Sequence, residues 1–279
     1  MKKINKLLTV FAAMIAAATI GGCATRNNKE EAYIPPVEER EENNTPTQTP
    51  ETDLPQTPEI TIPEIPVQKT ATYVRVTADG VNIRSGAGTG YSTLGTAEKN
   101  TLYAYLGKSG SWYITRFKDK TAYIFEKYCT LSEMDESDEE RIESVIQSGL
   151  RFMGVKYVYG AVRLHDGKGN KLKNFTCEAF DCSSLMQYIF FDGAGVLLDV
   201  NTRTQVYQGK TVSKSQLKRG DLMFFTNSSR KNLSGIERIG HVALYLGDNY
   251  ILHTASDYAK IEQISTTRWG YFIQGQRIL

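Results

Sequence analysis

A chain of 279 residues with 41% hydrophobic residues can build one large domain or two smaller ones, each with its own core. Lys and Arg number 33 against 31 Asp and Glu, a net charge of +2, and no Lys/Arg run marks a nucleic-acid surface. Histidine is scarce: His165, His241 and His253 are the 3 in the chain, so any imidazole chemistry must come from them.

The N-terminus reads as a targeting segment. Lys2, Lys3 and Lys6 precede an apolar run over residues 7–20, a charged region followed by a hydrophobic one. As a helix the run would span roughly 21 Å, short of the ~30 Å hydrocarbon core, which disfavours a permanent transmembrane anchor. It ends at Ile20-Gly21-Gly22-Cys23, which resembles a bacterial lipoprotein signal; an ordinary secretory signal with an incidental Cys is the alternative. The resemblance implies removal of residues 1–22, lipidation of Cys23 and attachment to a bacterial membrane outside the cytoplasm. Residues 23–71 read as a disordered tether. All 8 prolines lie between Pro35 and Pro66, and Glu30, Glu31, Glu38, Glu39, Glu41 and Glu42 cluster there. Few large apolar residues are present to offset the entropy of ordering such a segment.

The composition changes at Tyr73. Short β-rich runs at 73–76, 81–84, 101–105, 112–114 and 122–124 are separated by Gly, Asp and Ser clusters, the spacing of a small barrel. Val81-Asn82-Ile83-Arg84-Ser85-Gly86, followed by Gly110-Ser111-Trp112-Tyr113, is similar to the bacterial SH3-type cell-wall domain, over about residues 72–131. The similarity implies wall recognition or help in shaping a neighbouring site; a packing module without ligand is the alternative. Residues 132–153 then read as an amphipathic helix. A capping box falls at Ser137–Glu140, and one face carries Ile142, Val145, Ile146, Gly149, Leu150 and Met153.

Phe180-Asp181-Cys182-Ser183-Ser184-Leu185 places a cysteine on the first turn of a helix with Asp181 as N-cap and Asp192-Gly193 as stop. A thiol there feels the positive end of the helix dipole, which favours thiolate. A buried structural cysteine is the bland reading. Downstream, residues 239–246 and 250–254 are apolar runs around Gly247-Asp248-Asn249, a hairpin signal. With a three-residue loop, Leu246 faces Tyr250, Ala243 faces His253 and His241 faces Ala255, so His241 and His253 share a face as diagonal neighbours. A two-residue loop would separate them, because side chains alternate with period two.

The ordered set Gly154–Ala161, the Cys182 stretch, Thr202–Gln205, Lys218–Phe225, Gly240–Gly247 and Tyr250–Ala255 closely resembles the NlpC/p60 cell-wall cysteine peptidases, over residues 133–279. The resemblance implies an α+β, papain-like catalytic domain with helices packed on an antiparallel sheet, preceded by the SH3-like barrel and the tether. Cys182 would be the nucleophile, His241 the base and His253 the residue that orients it. The Cys182 N–H and the Tyr157 hydroxyl would bind the oxyanion. Arg203, Asp181 and Ser183 would contact substrate, Arg203 through the free carboxylate of a γ-linked D-glutamate. Plain structural roles, as helix cap, turn residue or solvated Arg, compete for these three. Asp221 reads as a turn residue.

The implied reaction is cleavage of peptidoglycan stem peptides between γ-D-glutamyl and a diamino acid by a monomer that needs no cofactor. Amide hydrolysis or acyl transfer on another wall or lipid substrate is the alternative, as is a non-catalytic wall-binding module. A zinc site from Cys177, Cys182 and a histidine is disfavoured, because the cysteine spacing is wrong for the usual pair. Ser184 and Ala161 stand where this family commonly has Gly, adding bulk near the cleft. Residues 162–180, with His165 and Cys177, form a longer connection than usual, either lining the cleft or passive. Three cysteines remain beside Cys23, and a Cys129–Cys177 bridge is one arrangement.

Overall fold

The computed structural model describes residues 68–279, so the signal segment, Cys23 and nearly all of the tether lie outside the described residues. The first part is built of strands, with one 3-10 turn (Glu126–Tyr128) before the last: β1 (Thr70–Val76), β2 (Val81–Arg84), β3 (Thr93–Ala97), β4 (Leu102–Ala104), β5 (Lys108–Ser109), β6 (Trp112–Phe117), β7 (Lys120–Phe125) and β8 (Cys129–Asp135). Each run read as β in this region overlaps a strand, although of 101–105 only Leu102–Ala104 is paired. Strand β3 has no alternating pattern to betray it; its Gly95 is there for packing, since a Cβ would sit 2.7 Å from the Phe117 ring. One sheet of the barrel runs β3-β2-β7-β6-β5, with Ile83, Ala97, Ala122 and Ile124 fully buried.

The second part comprises α1 (Glu140–Leu150), β9 (Lys156–Tyr157), β10 (Ala179–Phe180), α2 (Cys182–Ala194), α3 (Thr202–Gln205), β11 (Lys210–Val212), β12 (Leu222–Phe225), β13 (His241–Gly247), β14 (Tyr250–Ala255), β15 (Tyr258–Gln263), α4 (Thr266–Gly270) and β16 (Phe272–Arg277). The α+β architecture is as read. The two parts share a sheet in the order β11-β16-β12-β13-β14-β15-β4-β1-β8, in which Ile261 of β15 pairs with Leu102 of β4. The barrel is therefore joined edge-on to the sheet that carries the histidines. Arg219 reinforces the junction: only 8% exposed, it donates to Glu143 Oε1 and Oε2 at 2.6 and 2.8 Å and to the Tyr73 hydroxyl at 2.8 Å.

Several local expectations are corrected. The tether gives way to strand at Thr70, two residues before the expected boundary, because β1 pairs with β8 from Thr70↔Asp135 to Val76↔Cys129. That same ladder claims residues 132–135, so α1 starts at Glu140 rather than Ser132. Its cap is Glu139, which accepts from the Arg141 N–H, while Ser137 Oγ accepts from the Glu139 N–H; the Ser137–Glu140 box does not form. Helix α2 ends not at Gly193 but at Gly195, whose φ of 67° is the left-handed cap conformation. Gly193 instead permits close approach of α1, for a Cβ there would lie 2.6 Å from Ser144 O. Cys129 is a free thiol at the start of β8, so the Cys129–Cys177 bridge is not formed.

Helix α2 is buried on all sides from Cys182 to Phe190 and packs on α1, β13 and β14. The β13–β14 hairpin does not use a three-residue loop. Gly247 faces Tyr250 across a two-residue turn in which Asp248 and Asn249 both have positive φ, 48° and 66°. A bulge at Leu246 supplies the missing residue, and the register resumes as Tyr245↔Ile251 and Leu244↔Leu252. Continuing that count, Ala243 falls opposite His253 and His241 opposite Ala255. The parity that puts both imidazoles on one face is thus kept by a bulge rather than by loop length.

Candidate active site

Cys182 opens α2, and the cap that fixes the helix start is reciprocal. Asp181 Oδ1 accepts from the Ser184 N–H at 2.7 Å, and Ser184 Oγ accepts from the Asp181 N–H at 2.8 Å. Ser184, expected to add bulk to the cleft, is wholly buried and turned back into this cap. Ala161 is likewise buried, its N–H donating to Val158 O at 3.1 Å.

The Cys182 sulfur meets the backbone N–H groups of Val242, Ser183 and Cys182 itself, so the residue next to His241 in β13 lies against the thiol. Burial nevertheless dominates. Burial first and Asp181 second push the thiol up to about 12, against the opposing pull of those three N–H groups. Burial thus outweighs the helix dipole and the N–H groups in their pull toward thiolate.

His241 Nε2 lies 3.0 Å from His253 Nδ1, with the two rings edge to face. Burial, His253 and Arg268 hold His241 well below the ordinary imidazole value, and burial lowers His253 as well. Burial thus disfavours the charged form of both rings. With His241 Nε2 engaged by His253, Nδ1 is the nitrogen left to serve a second group.

Tyr157 belongs to β9, which pairs in parallel with β10 so that Tyr157 stands beside Phe180, two residues before the cysteine. Burial, then the neighbouring Cys182 and Asp181, push its phenol up to about 12, which keeps it a hydrogen-bond donor. Tyr157 and the strand that carries His241 thus both border the N-terminus of α2, and His253 backs the His241 ring.

Asp181 and Ser183 sit in the same place but are engaged by the protein. Asp181 is 4% exposed; its Oδ1 also accepts from Ser183 Oγ at 2.9 Å, and its Oδ2 accepts from the Gly160 N–H at 3.2 Å and from Arg163 Nη2 at 3.3 Å. Arg203 stands apart on α3, partly exposed, with Glu237 Oε1 at 3.7 Å as a loose ion-pair partner. Its helix is docked on the site by Gln205, whose Nε2 donates to Ser183 O at 3.0 Å and to Asp199 O at 2.8 Å. Asp221 caps its own turn, accepting from the Lys218 N–H at 2.7 Å, and pairs with Arg277. Cys23 lies outside the described residues.

Two supports were not legible in the sequence. Arg163 belongs to the 162–180 connection, where no motif marks it; it bridges Asp181, Ser183 Oγ and the Val200 carbonyl. The same connection is pinned to α2 by the His165 N–H, which donates to Gln187 Oε1 at 3.4 Å, and by Phe175 stacked on Tyr188 at 5.7 Å. Glu262 of β15 is the other, with Oε1 at 3.1 Å from His253 Nε2. It follows from alternation along β15 once that strand is known to pair with β14. Among the described residues no group of three or more His, Cys, Asp or Glu is arranged to hold a metal, and no helix is long and apolar enough to cross a membrane.

Residues 154–277 match the NlpC/P60 family, and residues 79–130 match the bacterial SH3 domain. Among similar proteins, the peptidoglycan endopeptidase RipA of Mycolicibacterium smegmatis is 29% identical over 130 residues, which are 46% of this chain and 24% of that protein. The γ-D-glutamyl-L-lysine dipeptidyl-peptidase of Bacillus subtilis is 32% identical over 129 residues, 46% of this chain and 37% of that one. The peptidoglycan endopeptidase RipB of Mycobacterium tuberculosis is 30% identical over 122 residues, 44% of this chain and 46% of that one. The chain spans less than half the length of each of these three relatives.

Proposed function

The chain carries an NlpC/P60-family domain over residues 154–277 behind a bacterial SH3 domain over residues 79–130, and on that premise we propose that it is a cysteine endopeptidase acting on peptidoglycan stem peptides. The observation that supports this most is the meeting of a helix-opening Cys182 with the strand of His241, whose ring is backed by His253 at 3.0 Å.

In this reading the Cys182 thiol gives its proton to His241 Nδ1 as Sγ attacks the scissile carbonyl. The Cys182 N–H and the Tyr157 hydroxyl donate to the developing oxyanion. His241 then protonates the leaving amine, the C–N bond breaks, and a thioester remains on Sγ. Water, deprotonated by His241, resolves it. Burial raises the thiol and lowers the imidazole, which favours proton transfer in concert with attack. No cofactor enters this scheme.

The scissile bond is that between γ-D-glutamyl and a diamino acid. The name of the Bacillus subtilis relative supports it, and so does Arg203, a partly exposed guanidinium whose 3.7 Å partner Glu237 is exchangeable for a substrate carboxylate. Asp181 and Ser183 serve the substrate indirectly, by holding the cysteine turn. We place the protein outside the cytoplasm, with residues 1–22 removed, Cys23 lipidated and the stretch up to residue 69 as tether. Defined stem tri- and tetrapeptides, with and without sugar, incubated with the protein and read by mass spectrometry, test the bond. Release of L-Ala-γ-D-Glu supports it; cleavage elsewhere in the stem, or none, contradicts it.

A further inference from the structure

His253 is wholly buried, and its two ring nitrogens have different neighbours. Nδ1 faces His241 Nε2 at 3.0 Å. Nε2 has no aligned hydrogen-bond partner among the described residues, yet Glu262 Oε1 stands 3.1 Å from it, off the N–H axis. Contacts of this kind in ligand-free sites commonly tighten when substrate binds. Both side chains come from one ladder. His253 is opposite Lys260 and Ile251 is opposite Glu262, so the four project from the same face. Glu262 is itself held, by Arg268 Nη2 at 2.8 Å on Oε1 and by Lys260 Nζ at 3.9 Å from Oε2.

A single proton lies between the two rings, and two arrangements are chemically available. In the first, His241 donates from Nε2 to His253 Nδ1, and His253 carries its own proton on Nε2. His241 Nδ1 then has a lone pair and can accept the thiol proton. In the second, His253 donates from Nδ1 to His241 Nε2. A neutral His241 must then carry its proton on Nδ1 and cannot act as a base. A carboxylate beside His253 Nε2 attracts an N–H and repels a lone pair, which selects the first arrangement.

We propose that Glu262 is a positioning residue that sets the tautomer of His253 and, through it, leaves His241 Nδ1 free as the base. The inference rests on the peptidase reading of this site. Burial works to raise the Glu262 carboxyl, but His253, Arg268 and Lys260 hold it at about 2, so it is charged at any working pH. Arg268 and Lys260 are the opposing charges near the pair, and Asp181 flanks Cys182 from the α2 side. When Cys182 yields its proton to Nδ1, His241 becomes an imidazolium whose Nε2–H still points at His253 Nδ1. The Glu262 charge lies beyond, and no further proton has to move.

The test is 15N NMR of the histidine rings in the wild-type chain and in Glu262→Gln, joined to kinetics on L-Ala-γ-D-Glu-L-Lys. The wild type is expected to carry the His253 proton on Nε2. In Glu262→Gln the Nδ1–H form appears and kcat falls about 10- to 100-fold with KM little changed, while Glu262→Asp keeps the wild-type tautomer. A wild-type His253 protonated on Nδ1, or an unchanged tautomer in Glu262→Gln, overturns the proposal, and the wild-type spectrum decides even where a variant does not fold. The ring signals do not depend on substrate, so a chain with the expected tautomer that leaves the tripeptide intact fails the functional reading alone.

Discussion

His241 and His253 touch through Nε2 and Nδ1 at 3.0 Å although they lie on adjacent strands joined by a two-residue turn. Such a turn alone would put them on opposite faces of the sheet. The bulge at Leu246 restores the parity, so the pairing of the two rings depends on one extra residue five positions from His241. That residue is wholly buried, which locks the register from within the core.

Tyr157→Phe tests the second oxyanion donor. The ring is retained and β9 still pairs with β10, so folding is expected to be unaffected. Loss of one donor lowers kcat by about 100-fold, at the low end for such groups, with KM little changed. Steady-state kinetics on a stem tripeptide measure this, and a kcat within about twofold of wild type removes Tyr157 from the site.

Arg163→Gln tests the support under the cysteine turn. The substitution removes the 3.3 Å contact to Asp181 Oδ2 and leaves a nearly buried carboxylate with less compensation. The expected cost is about 1–3 kcal/mol, seen as a lowered Tm, with a parallel fall in activity as Cys182 loses its fixed position. Full stability in the variant shows that the 162–180 connection is passive.

Acid should destabilise the fold through the histidines. His241 and His253 have folded proton affinities below the ordinary value of 6.5, so as pH falls through 6.5 the unfolded chain takes up protons that the folded chain refuses. Stability is complete above that value and falls below it, by at most about 1.4 kcal/mol per pH unit for each ring. Glu262 adds a later loss. Its folded value of about 2 lies under the ordinary 4.5, so its contribution is present above 4.5 and disappears as pH falls toward 2. Thermal melts from about pH 7.5 to 5 should show a falling Tm; a flat profile contradicts the neutral buried pair.

What the sequence disclosed and what it concealed divide along physical lines. Cys182 was legible because an N-cap and a helical apolar run bracket it, and the histidine pair because strand alternation is strict. The bulge was hidden, since Leu246-Gly247-Asp248-Asn249 fits either loop length and the choice is made by tertiary packing. The start of α1 is not legible because residues 132–135 are amphipathic enough for helix, and only pairing with β1, distant in sequence, makes them strand. Arg163 and Glu262 act through space on Asp181 and His253, which lie 18 and nine residues away, and neither sits in a motif. The balance of influences on the cysteine proton is not local either: the helix dipole is readable from sequence, whereas burial, which opposes it, depends on the whole fold.

The central claim, that Cys182 attacks with His241 as its base, is tested most directly by single-turnover cleavage of L-Ala-γ-D-Glu-L-Lys with rapid acid quench and intact-protein mass spectrometry. The wild-type chain should show a transient adduct of L-Ala-γ-D-Glu on Cys182, while Cys182→Ala and His241→Ala remain folded, show no adduct and lose turnover by about 1,000-fold or more. Near-native turnover in either variant, or cleavage by the wild type without an adduct while a different side chain becomes labelled, would contradict it.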